Sequence, residues 1–265
     1  MRIEIDGTNI DYNDAGAGLP VVFIHAFPLN QTMWDEQVAA LRSGFRPVTI
    51  DLRGFGKSDA PGGAYTVDRM AADVRAVMSA LSIERAVIAG CSMGGYVALA
   101  FYRNYPGAVR GLLLSDTRAS ADTEEARERR EKSAEKAERE GARAIADDMT
   151  PLLLGDTSLA ARPEVVERVR RMAESSSPEG IAAAQRGMAA RPDSVYMLAG
   201  IDRPSLILVG SEDKITGLAE AEALRDGIPR SRLRVIEAAG HLPNLERPAE
   251  FNKALTDFLV AEFGA

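Results

Sequence analysis

The chain has a single cysteine, Cys91, and only two histidines, His25 and His241. One thiol cannot close an intrachain disulfide, which suits a reducing compartment and leaves stability to the apolar core. So few imidazoles and thiols argue against a zinc site, and no metal or cofactor is expected. No apolar stretch approaches the ~18 residues of a membrane span. The opening "MRIEIDGTNIDYND" lacks the basic-then-apolar layout of a signal peptide. Basic surplus is also missing: 32 Lys and Arg face 39 Asp and Glu, a formal charge of -7. That balance argues against a nucleic-acid partner and against anionic membranes. The expectation is a soluble, cytoplasmic protein that binds a small molecule. Nothing in the composition bears on oligomeric state.

What is present is a substantial core. The 265 residues are 46% hydrophobic, enough for one core with a smaller appended unit. "IEIDGTNIDY" places Asp6-Gly7 between alternating runs, a hairpin signal. Short apolar runs follow: "VVFIH" (21–25), "PVTID" (47–51), "AVIAG" (86–90), "VRGLLLSD" (109–116), "PSLILVG" (204–210) and "LRVIEAAG" (233–240). They read as strands covered on both faces. Helical patterns lie between them. In "TVDRMAADVRAVMSAL" (66–81), Met70, Val74, Val77 and Met78 share a face and Thr66 is placed to cap it. Strand–helix alternation implies an α/β fold: a mostly parallel sheet with helices on both faces.

The rhythm stops between about 118 and 200. The expected organisation is a core of residues 1–117 and 200–265 with a helical insertion over 118–199. The insertion opens with "ADTEEARERREKSAEKAEREGARAI", read as a solvated helix laced by Glu–Arg and Glu–Lys pairs. A partner-binding arm is the alternative. "RPEVVERVRRMAESS" and "SPEGIAAAQRGMAAR" are amphipathic helices.

One hydroxyl stands at the sharpest corner of the buried pattern. Gly90-Cys91-Ser92-Met93-Gly94 fits G-x-S-x-G between a strand and a helix. Glycines flank the corner because the chain crowds itself there. The central serine is held strained, projecting above the sheet edge as a nucleophile. The following helix aims the Met93 N–H at the same point, one donor for an oxyanion. A serine needs a base. His241, in "EAAGHLPNLERP", follows the last strand and lies on the edge that carries Ser92. The base needs an acid, and "VGSEDKITG" offers Glu212 and Asp213 on that edge. Asp213 is favoured, and Asp116, after "GLLLS", competes with it. His25 ends "VVFIHAFP", where its ring would bond loop backbone or edge the pocket. Phe27 offers the second oxyanion N–H, since Pro28 has none.

These segments together resemble an α/β-hydrolase of the lipase, esterase and lactonase type. "HAFP" is similar to the family's H-G-x-P oxyanion loop, with Ala26 in place of glycine. "DLRGFGKS" is similar to its D-x-R-G-x-G-x-S loop, "GCSMGG" to its nucleophile elbow, "GSED" to its acid turn and "AGHLPNLERP" to its histidine loop. The insertion resembles the family's helical cap in placement. Two departures carry consequences: the Ala26 side chain narrows the oxyanion loop, and Gly217, where the family often has proline, holds Asp213 less rigidly. The resemblance implies a serine hydrolase of small esters or lactones, similar to enol-lactone-cleaving members that act on carboxylated lactones. An anionic substrate would need an arginine facing the pocket, from Arg118, Arg186 or Arg191. The same triad serves carbon–carbon bond hydrolysis and peracid formation, and a low-turnover receptor of this fold is a further alternative.

Three features are decoys. "GFGKS" (54–58) ends like a phosphate loop, but Asp51 stands where that motif needs glycine. Cys91 should point inward and be inert. Met149, Met172 and Met188 sit on the insertion's helices, where methionine is either core or an adaptable pocket wall with Phe27, Met93 and Leu242.

Overall fold

The computed structural model describes residues 1–264. Eight strands form one sheet in the order β1-β2-β4-β3-β5-β6-β7-β8. They are β1 (Arg2–Ile5), β2 (Thr8–Asp14), β3 (Leu19–Ile24), β4 (Phe45–Ile50), β5 (Ala86–Cys91), β6 (Val109–Ser115), β7 (Ser205–Gly210) and β8 (Ser231–Ile236). β1 and β2 form the expected hairpin, with Ile5 opposite Thr8 and positive φ at Asp6 and Gly7. β2 runs antiparallel to β4, and every pairing from β4 to β8 is parallel.

The parallel strands read as unbroken apolar runs because both faces are buried. Val22, Ile24, Ile88 and Leu112 face one core, whereas Val21, Phe23, Val87 and Leu113 face the other. On the first side lie α2 (Val67–Ala80) and α3 (Met93–Asn104); on the second lie α1 (Asp35–Leu41) and a C-terminal helix (Pro248–Phe263). Thr66 caps α2 through the Arg69 N–H. The "GFGKS" turn wraps a side chain of its own: Asp51 accepts the Lys57 N–H at 2.9 Å and the Gln31 N–H at 2.7 Å. Arg53 leaves this loop to form a buried two-pronged pair with Asp73 of α2, at 2.6 and 2.7 Å.

Between β6 and β7 the chain is helical: α4 (Glu124–Glu140), α5 (Ala142–Leu153), α6 (Asp156–Ala161), α7 (Pro163–Glu174) and α8 (Pro178–Ala189). The charged stretch is not one helix. Gly141, at φ +84°, ends α4 and begins α5. Nor is α4 merely a solvated rod. Ala134 and Ala137 are buried, and its charges reach neighbouring elements: Arg186 of α8 binds Glu131 and Glu138, and Lys136 binds Asp148 of α5. Arg129–Glu125 is its one four-residue pair among the described residues. Among the described residues no helix is long and apolar enough to cross a membrane.

Candidate active site

All the segments singled out in the sequence end on one edge of the sheet. Ser92 follows β5 with φ 54° and ψ −115°, a conformation strained for a side chain other than glycine. Its N–H donates to Ser115 O of β6 at 2.9 Å, and its carbonyl accepts the Gly95 N–H and the Thr117 hydroxyl. A Cβ at Gly90 would run into the Gly94 carbonyl, and one at Gly94 into the Ile24 carbonyl. Main chain occupies both positions, so the corner admits only glycine there. Met93 is the first residue of α3, where an N–H has no intrahelical partner.

His241 lies on the loop after β8. Its Nδ1 donates to Asp213 Oδ1 at 2.9 Å, and its Nε2 is buried without a partner among the described residues. Asp213 is gripped from its own turn. Oδ1 accepts the Ile215 N–H at 2.8 Å, while Oδ2 accepts the Thr216 hydroxyl at 2.5 Å and the Gly217 N–H at 3.2 Å. Burial alone would raise this acid. The His241 charge and these hydrogen bonds outweigh burial and hold it well below the ordinary carboxylate range. The expected loosening at Gly217 is therefore absent. Its φ of +58° suits glycine, and its N–H, which proline lacks, completes the grip.

Asp116 lies beside this pair but is engaged elsewhere, accepting the Ser115 hydroxyl at 2.6 Å and the Gly210 N–H at 2.9 Å. Burial and the Asp213 charge raise its acid well above the ordinary value. Asp116, Asp213 and His241 place ligand-type atoms within 4.8 Å of one another. A cation would compete there with the bonds just described. Glu212 points away from His241, to the Thr157 N–H and hydroxyl.

Ser92 and His241 open into one cavity of about 600 Å³, together with Phe27 and Tyr96. Ile145, Met149, Leu153 and Met188 form its apolar wall. Four expected pocket residues stand outside it, Met93 among them, packed in the first core. His25 is fully buried beneath, with Nδ1 donating to Ala26 O at 2.9 Å and Nε2 accepting the Leu52 N–H at 3.0 Å. Burial lowers its pKa against the pull of Asp51. Met172 and Leu242 are packed in the second core instead. Cys91 is buried inside the elbow, and burial pushes its thiol well up. Ala26 is also buried, bonded through its N–H to Met33 Sδ.

The charged helix α4 supplies the mouth: Arg129, Arg130, Lys132 and Lys136 line the cavity, with Arg118 from the β6 loop. Asp122 and Asp148 are the acids lining the cavity, and Glu125 and Glu220 pair with Arg129 and Arg118 from beside it. Arg130 and the buried Arg191 share Asp122, leaving one excess positive charge in that cluster. Of the three arginines considered, Arg118 alone lines the cavity. Arg186 is spent on glutamates, and Arg191 lies over the Tyr96 ring at 4.1 Å. The sequence carried a signal for the missed α4 wall. Ala126, Ser133 and Ala137 recur at helical spacing, so one face of the charged helix carries small residues and can pack.

The family model described as alpha/beta hydrolase fold matches residues 20–248. A thermophilic esterase from Thermogutta terrifontis, solved with malate bound, superposes with a TM-score of 0.96 at 42% identity over 99% of each chain. The enol-lactonase from Burkholderia xenovorans LB400 superposes with a TM-score of 0.92 at 30% identity, covering 98% of this chain and 100% of its own. An AB hydrolase superfamily protein of Bacillus subtilis strain 168 is 34% identical over 92% of this chain and 93% of its own.

Proposed function

The chain belongs to the α/β-hydrolase family and is a hydrolase; from that premise we propose that it cleaves carboxylic esters or lactones of small molecules through an acyl-enzyme on Ser92. One observation carries the reading. A buried imidazole, paired to a carboxylate on one side and without a partner among the described residues on the other, shares a cavity with a serine held in a strained turn. The esterase and enol-lactonase likenesses support it.

In the proposed cycle, Ser92 Oγ attacks the carbonyl carbon while His241 Nε2 takes its proton. Asp213 keeps Nδ1 protonated, so that Nε2 is the basic nitrogen, and its charge stabilises the imidazolium. The N–H groups of Phe27 and Met93 receive the tetrahedral oxyanion. His241 returns the proton to the leaving alkoxide, and a water repeats the sequence on the acyl-enzyme. The cationic mouth favours substrates whose far end is negative, with Lys132 a lining cation that has no ion-pair partner among the described residues.

A panel of p-nitrophenyl esters and small lactones tests the reading, with Ser92→Ala as the blank. Turnover and fluorophosphonate labelling by wild type are expected, and a loss of roughly 10³-fold or more in kcat in the variant. Near-full turnover in Ser92→Ala refutes the acyl-enzyme.

A further inference from the structure

Besides Asp213 and Asp116, a third carboxylate lies close to the candidate base, and the proposed cycle does not use it. Glu246 closes a four-residue helical turn (Pro243–Glu246) and is wholly buried. Among the described residues no lysine or arginine nitrogen lies within ion-pair distance of its carboxylate. It is held by main chain alone. One oxygen accepts the Gly240 N–H at 2.8 Å and the Leu242 N–H at 3.3 Å, the residues on either side of His241. The other accepts the Gly155 N–H at 2.9 Å, from the joint between α5 and α6.

That joint is bound to both loops. The His241 N–H donates to Leu153 O at 3.1 Å. Glu212, next to Asp213, accepts the Thr157 N–H at 2.9 Å and its hydroxyl at 2.5 Å. Main chain meets main chain so closely that a Cβ on Gly155 would strike the Glu212 carboxylate and the Gly240 nitrogen. The same α5 carries Ile145, Met149 and Leu153 of the cavity wall.

We propose that Glu246 is a positioning residue that ties the main chain around His241 to the α5–α6 joint, so that imidazole alignment depends on where the insertion sits. The proposal rests on His241 being the base. A buried carboxylate accepting three N–H groups makes strong, charge-assisted bonds, and nothing apolar of that size could replace them. Nε2 alignment follows the backbone at 241, and displacement of about 1 Å costs on the order of 100-fold in rate.

The test compares kcat and KM of wild type, Glu246→Gln, Glu246→Ala and Gly155→Ala with p-nitrophenyl butyrate, along with labelling rate and thermal midpoint. Glutamine keeps an oxygen for Gly240 and Leu242 but turns an amino group toward the Gly155 N–H. It is expected to lose about 10-fold in kcat with KM within about twofold, and alanine about 100-fold. Gly155→Ala should show the same kcat-selective loss, produced from the insertion side.

A role in stability alone predicts otherwise: a lower midpoint and fewer labelled molecules, with kcat and KM per labelled site as in wild type. That result overturns the proposal. If the Glu246 variants do not fold, Gly155→Ala decides by the same two readouts. Ser92→Ala in the same series separates the failures, since turnover surviving there defeats the serine reading itself and this proposal with it.

Discussion

Replacing Asp213 by asparagine removes a charge while keeping a shape. In the least disruptive pose the amide oxygen keeps the Ile215 N–H and His241 Nδ1, and the amino group turns to the Thr216 hydroxyl. Only the Gly217 N–H then loses its acceptor. The turn and the tautomer both survive, so what disappears is the negative charge beside a forming imidazolium. The His241 and Asp213 side chains are 1% and 0% exposed, so water does not screen the pair. Unit charges ~4 Å apart in an effective dielectric of roughly 20 interact by about 4 kcal/mol. If that is expressed in the transition state, kcat falls about 10³-fold with KM little changed. The comparison is Asp116→Asn, whose amide can accept from Gly210 N–H and donate to Ser115, and which should stay within about threefold of wild type. Both are measured with p-nitrophenyl butyrate on protein whose folding is checked by circular dichroism. Asp213→Asn retaining a tenth of wild-type kcat, or Asp116→Asn suffering the larger loss, refutes the assignment.

The two acids also predict opposite pH effects on stability. Asp213 is depressed in the fold, so its contribution is complete above the unfolded value near ~4 and is lost as pH falls through the folded value. Urea midpoints of wild type and Asp213→Asn should therefore converge on acidification. Asp116 is raised, so wild type loses stability relative to Asp116→Asn as pH climbs from ~4 toward the folded value. Cys91, raised first by burial and then by the Asp116 and Asp213 charges, should ignore Ellman's reagent until urea unfolds the chain. Gly94→Ala forces a methyl into the Ile24 carbonyl and should cost roughly 3 kcal/mol in urea unfolding; a wild-type midpoint would refute the crowding argument. Lys132, exposed and unpaired among the described residues, should favour carboxylate-bearing esters. Lys132→Glu should lower kcat/KM for them about threefold at low salt and leave neutral esters unchanged.

The sequence by itself determined the strands, their parallel stacking and the corner at Ser92. These depend on local pattern: β-branched runs buried on both faces, an Asp-Gly hairpin, and glycines where the chain crowds itself. It also singled out His241 as candidate base and Asp213 as candidate acid, with Asp116 competing. Tertiary structure shows which carboxylate meets the imidazole. Asp213 and Asp116 both end strands on one edge, and only the turn through Gly217 aims one of them at His241. His25, Met172 and Leu242 carry the residue types of a pocket wall, yet packing turns them inward. The charged helix reads as solvated because its own spacing satisfies Glu–Arg pairs. Its partners proved to lie on α5 and α8, distant in sequence, and its basic side chains became the mouth of the cavity. Glu246 shows the same limit, since a buried carboxylate held by three main-chain N–H groups has no counterpart in periodicity or composition.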